Sequence, residues 1–115
     1  MSRGVMRNWR AFTDQALTAD ANSDPTDLIF MDKGRAYIAW SGAVGGTATL
    51  DVEVSNDKVT WRSIMLNVIT LTAGSGTHEM VFPEIDFSYL RFKILANAES
   101  GGTISINMNA QSEGR

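Results

Sequence analysis

Apolar and polar residues alternate along most of the chain. Residues 47–55 show it most clearly: Leu50, Val52 and Val54 fall on one side, and Thr49, Asp51, Glu53 and Ser55 on the other. A period of two is the mark of a half-buried strand. The same alternation places Ala36, Ile38 and Trp40 on one face of 35–40, and His78, Met80 and Phe82 on one face of 77–82. In 89–96, Leu90, Phe92 and Ile94 oppose Arg91 and Lys93. In 103–110, Ile104, Ile106 and Met108 oppose Ser105, Asn107 and Asn109. Shorter β-branched or apolar runs lie at 28–31, 59–65 and 68–72. Glycine, asparagine and aspartate punctuate these runs at 42–46, 56–58, 74–76 and 100–102. Asn and Asp bond their own backbone in turns, and glycine supplies positive φ without a steric cost. Short strands at this spacing predict an all-β fold: an antiparallel β-sandwich, jelly-roll-like, of about eight strands.

The first 25 residues break the pattern. They are rich in Ala, Asp, Asn, Ser and Thr, and Trp9 and Phe12 are their only large aromatics. Residues 11–19 fit either a short helix or an edge strand. Asp24-Pro25 reads as a break. The expected organisation is an extended N-terminal arm over 1–25 and a sandwich domain over 26–115. Removing 1–20 is expected to leave the domain folded. Trp40 and Trp61 fall within strand patterns and are expected in the core, so that Trp61→Ala would cost about 3–5 kcal/mol.

Composition narrows the function classes. A chain of 115 residues is the size of one domain. It has no cysteine, which removes disulfides, thiolate metal sites and thiol catalysis, and fits synthesis in a cytoplasm. The opening MSRGVMRNWR lacks the apolar stretch of a signal peptide. No apolar run is long enough to cross a bilayer, so no membrane is expected as partner. The net charge of −3 argues against nucleic acid, whose binding rests on neutralised phosphates. The charge is unevenly spread. Arg3, Arg7 and Arg10 stand near the start, followed by Asp14, Asp20, Asp24, Asp27 and Asp32.

Catalytic chemistry is sparse. His78 is the only histidine and reads as a strand residue, not a catalytic base or ligand. No serine shows triad partners. Asp51 and Glu53 share a strand face about 7 Å apart, a spacing also found between glycosidase carboxylates, but two acids are ordinary on a solvated face. Asp20, Asn22 and Asp24 have the alternate-residue oxygens of a calcium loop, yet Pro25 stands where that loop needs glycine and Met31 where it needs glutamate. The glycines at 42–46 lack the following helix and lysine of a phosphate cradle. No cofactor, metal or enzymatic activity is expected. Trp9, flanked by Arg7 and Arg10, has the residue types enriched at protein–protein hot spots. The chain is also poor in lysine, a residue that commonly protects edge strands from pairing.

The stretch VEVSNDKVTWRSI, with the later SYLRFKILANAESGGTISINMNAQ, resembles small virion proteins of tailed bacteriophages, of the capsid decoration (cement) type. The elements that carry the likeness are 52–61, 89–93 and 101–110. It covers 47–110 and leaves the first segment outside. The resemblance implies a structural protein on the outer surface of a virion, made in the host cytoplasm. It would bind the major capsid protein, clamp neighbouring capsid subunits and sit on the shell as a homo-oligomer, dimer or trimer. In that reading the arm carries the partner contacts through Arg3, Arg7, Trp9, Arg10 and Phe12. A tail, adaptor or baseplate component, or a carbohydrate-binding β-sandwich module, is the alternative implied by the same features.

Overall fold

In the computed structural model, which describes residues 6–64 and 69–112, the alternating runs become ladders of two antiparallel sheets. One sheet has the order β1 (Met6–Ala16), β10 (Thr103–Gln111), β4 (Lys33–Ala43) and β8 (Gly74–Phe82). The other is built on the central pair β9 (Tyr89–Leu95) and β5 (Thr49–Ser55). Two short strands, β2 (Ala21–Asn22) and β3 (Thr26–Asp27), lie end to end on β9. Ser23 bridges them, its amide donating to the Phe92 carbonyl and its hydroxyl oxygen accepting the Phe92 amide. On the other flank, β6 (Arg62–Ser63) and β7 (Ile69–Thr70) both pair with β5.

Each of these flanks acts as one interrupted strand, which makes eight among the described residues. Apart from the step from β5 to β6, the chain passes from one sheet to the other between successive strands, and its first strand pairs with its last. That is the double-sheet jelly roll. The core lies between the sheets. It takes Ala36, Ile38 and Trp40 from β4, and Ile104, Ile106 and Met108 from β10. From the facing sheet it takes Leu50, Val52, Val54, Leu90, Phe92 and Ile94, all buried. The Trp40 indole donates to the Thr72 carbonyl at 3.0 Å and lies against Gly76, where a Cβ would sit 2.3 Å from the ring. Only glycine leaves room there.

Three expectations are corrected. First, the described part of residues 1–25 is no arm. β1 pairs with β10 along its length, Phe12 is 5% exposed, and Leu17 is fully buried. The Leu17 amide also donates to the Gly102 carbonyl. The alternation is hidden because β1 shifts register twice against β10, once between Arg10 and Phe12 and again between Phe12 and Gln15. Asp14 holds a positive φ of 47° within the second shift. Such bulges put two residues opposite one and break the period of two. Asp24-Pro25 merely interrupts the strand between β2 and β3.

Second, no long strand runs through 59–64. The Asp57 carboxylate accepts the amides of Val59 and Thr60, and the Ser55 hydroxyl oxygen accepts those of Asp57 and Lys58. This local network holds a loop until Arg62, and the turn joins β5 to a very short antiparallel partner, β6. Met65 and Val68 lie outside the described residues. Third, Trp61 is not core. It is half-buried on the outer side, with the Arg91 guanidinium 4.2 Å from its ring centroid and its own N–H donating to the Lys58 carbonyl.

At the far end of the sandwich, Glu99 is 3% exposed although it is ionisable. It turns into the 43–46 loop and accepts the amides of Val44, Gly45 and Gly46 at 2.8–3.0 Å, with those of Ser100 and Gly101 from its own turn. The Gly45 amide foremost, with those of Gly46, Val44 and Ser100, outweighs the opposing effect of burial and holds its carboxyl at about 2. A single carboxylate thereby ties together two loops that each cross between the sheets, β4 to β5 and β9 to β10.

Candidate interaction surface

The outward face of the four-stranded sheet follows from register. Asn8 and Arg10 of β1 stand opposite Asn109 and Asn107 of β10, which in turn face Arg35 and Tyr37 of β4, beside Val81 and Glu79 of β8. The result is a flat field of short amides with two longer cations and a tyrosine. A shallow cleft of about 450 Å³ opens among Asn8, Trp9, Arg10, Tyr37, Asn107 and Asn109. A second, of about 320 Å³, continues past Tyr37 and Asn109 to Lys33, Phe82 and Pro83. Arg35 pairs with Glu79 at 3.3 Å. The Tyr37 side chain foremost, and then Glu79, raise the guanidinium above its ordinary value, so it is a fixed cation.

The residues proposed from sequence separate in space. Arg3 lies outside the described residues. Arg10 is exposed and faces the first cleft. Arg7 is exposed at the start of β1, where Nη1 donates to the Asp27 carbonyl at 3.3 Å. Together they edge a third cleft, of about 310 Å³, against Asp24, Pro25 and Asp27. Trp9 is half-buried, packs on the core, and has a buried indole N–H without a hydrogen-bond partner. Phe12 is core. A partner does not reach it, and its place in the proposed contact set is withdrawn for that reason.

The candidates for chemistry are occupied structurally. Glu53 binds Arg91 at 2.8 Å, and Asp51 accepts the Ser63 hydroxyl and the Val52 amide. Asp20 caps the Ala96 amide. His78 is exposed on β8 opposite Ile38. Among the described residues no group of three or more acids or histidines is placed to hold a metal.

Sequence patterning overlooked the turn at 28–31, read as part of an apolar run. Leu28 and Met31 are buried and anchor its legs, while Ile29 and Phe30 point outward. The positive φ of 72° at Phe30 belongs to a turn geometry that no periodicity reveals.

No protein-family model and no curated protein sequence matches the chain. Solved structures do. A chain of infectious bursal disease virus, Gx strain, superposes with a TM-score of 0.63 at 13% identity over 98% of this chain and 33% of its own. VP2 of the infectious bursal disease virus subviral particle gives 0.61 at 12% identity, over 96% and 33%. The SPBc2 prophage-derived protein YomS gives 0.60 at 8% identity over 97% of both chains. The chain thus spans about a third of the two viral chains and nearly all of YomS. At such low identity these likenesses establish the β-sandwich fold.

Proposed function

We propose that this chain is a structural virion protein that binds the outside of a phage capsid and stabilises it by clamping neighbouring subunits of the major capsid protein. The observation that carries this reading is the end-to-end likeness to a prophage-derived protein, with the same sandwich recurring in a viral subviral particle. The surface supports it physically. A flat sheet face of short polar side chains loses little side-chain entropy when covered. A ligand that binds only the assembled shell stabilises it by mass action, and many copies per particle add through multivalency. The net negative charge suits an outer surface better than a DNA-facing one. In this reading the protein acts by contact and makes no bonds. Arg7 and Arg10, with the edge of Trp9, supply contacts from an edge strand instead of from a free arm. A dimer or trimer of this chain on the shell is part of the proposal.

Mass spectrometry of particles purified from the encoding virus tests it, together with thermal rupture of shells with and without the chain. The expected result is many copies per head and a higher rupture temperature. Its absence from heads, or presence only in tails as a closed ring, refutes the decoration role and favours an adaptor or baseplate part.

A second reading has its own support. Asn8, Asn107 and Asn109 beside an exposed Tyr37 are groups that can bond and stack on a sugar. Millimolar or tighter glycan binding by a monomer, with no binding to shells, would establish the carbohydrate-binding alternative.

A further inference from the structure

The largest exposed apolar side chain sits where the backbone least tolerates it. Phe30 is 88% exposed and holds a φ of 72°. That left-handed region suits glycine or asparagine, and for a bulky residue it is an outlier. Its turn is firmly built. The Met31 amide donates to the Leu28 carbonyl, the Ile29 amide to Asp27 Oδ1, and the Leu28 amide to the Ser88 carbonyl, at 2.8–2.9 Å. With Leu28 and Met31 plugged into the core, the tip has one way to face, and it presents Phe30 to solvent. Two costs fall on one residue: strain in the backbone and a hydrated aromatic ring. Strain of this kind concentrates where a protein binds.

The neighbours complete a contact patch. Arg7 reaches the Asp27 carbonyl at the foot of the turn. Met6, 64% exposed, stands opposite Gln111, whose carbonyl accepts the Asp32 amide. Met6, Arg7, Ile29 and Phe30 therefore share one end of the sandwich. Aromatic, methionine and arginine side chains are the types enriched in interface cores. The partner of the Arg7 guanidinium among the described residues is a neutral carbonyl, so its charge remains available to a carboxylate.

We infer that Phe30 is the anchor by which this protein docks into an apolar socket, edged by acidic side chains, on a protein subunit of the shell. The inference rests on the capsid-binding reading and names the residue that carries it. A second copy of this chain does not fit as the occupant. Its clefts beside Tyr37, Asn109 and Arg7 hold apolar side chains, among them Trp9, Phe82 and Pro83, but each is also lined by cations, from Lys33 and Arg35 to Arg7 and Arg10, which would repel the Arg7 that accompanies the ring.

The test uses the full chain as wild type, Phe30→Gly and Val59→Ser, the last removing an exposed apolar group on the 56–61 loop. Free protein is melted, and binding is measured by co-sedimentation with shells of the encoding virus purified without it. Phe30→Gly is expected to melt at or above the wild-type temperature, because relief of the left-handed strain offsets the added freedom of the unfolded chain. It is expected to bind at least about tenfold more weakly, as for a truncated hot spot. Val59→Ser is expected to bind as wild type does. If wild type binds and Phe30→Gly binds equally, the anchor is refuted while the capsid reading stands. If wild type itself fails to bind, the capsid reading falls and the shell as partner of Phe30 falls with it. A Phe30→Gly protein that melts several degrees lower overturns the inference from the other side, since the ring would then be part of the fold.

Discussion

Phe12→Ala asks whether the first strand belongs to the fold. In the structure Phe12 is 5% exposed, stands opposite Ile106 and packs in the core cluster. Removing the ring loses its transfer free energy and leaves a void that the flanking ladders cannot close, because β1 is held to β10 on both sides of it. Phe→Ala changes at such sites cost about 3–5 kcal/mol. A domain of this size has a total stability of about 6–17 kcal/mol, from roughly 0.05–0.15 kcal/mol per residue. The single change therefore takes about a third of the whole. With a urea m-value of about 2 kcal/mol per M, the midpoint should fall by about 2 M at unchanged m. Equilibrium unfolding followed by fluorescence and circular dichroism measures this directly. Arg10→Ala, on the outer face of the same strand, is the internal control and should stay within about 0.5 kcal/mol. Deleting 1–20 removes both Phe12 and Leu17 and should abolish the cooperative transition. A Phe12→Ala loss below about 1 kcal/mol would mean that β1 is a dispensable arm after all, and that its ladder on β10 contributes little to the fold.

Trp61→Ala should cost only about 1 kcal/mol, the scale of an exposed cation–π contact, and a loss above about 3 kcal/mol in urea would return this residue to the core. Gly76→Ala should cost about 1–3 kcal/mol, as overpacking does, since its methyl group would meet the Trp40 ring at 2.3 Å; unchanged stability and tryptophan emission would contradict that packing. Glu99 is expected to contribute to the acid limb of stability, alongside Asp57, whose carboxyl the Thr60 and Val59 amides also hold below its ordinary value. The folded value of Glu99 is held at about 2 against an ordinary 4.5, so its contribution is complete above about 4.5 and is lost as pH falls toward about 2. Glu99→Gln should lower the urea midpoint at pH 7 and flatten its dependence on pH within that window, and a variant as steep as wild type would show that another group is responsible.

The alternating positions in 35–40, 47–55, 89–96 and 103–110 determined the strands, their inward faces and the sandwich, because a period of two places every second side chain on one side of a sheet whatever the strand pairs with. The same local logic failed at β1. Two register shifts there separate Trp9, Phe12 and Leu17 by odd intervals, and only the ladder on β10 brings them to the core side. It failed again at Trp61, where hydrogen bonds to Asp57 and Ser55 hold a loop that mimics a strand in composition.

The candidate surface was legible only in part. Arg7 and Arg10 could be singled out by charge, but their separation from Phe12 depends on which side of one strand faces the opposite sheet. Neither Glu99 nor Phe30 had a sequence signal, since a carboxylate gains its amide partners from a loop more than fifty residues away. An exposed phenylalanine looks the same in sequence as a buried one. Local sequence determines which backbone shape is favoured; only tertiary packing decides which side chains are withdrawn from water, because burial is a property of what the chain folds against.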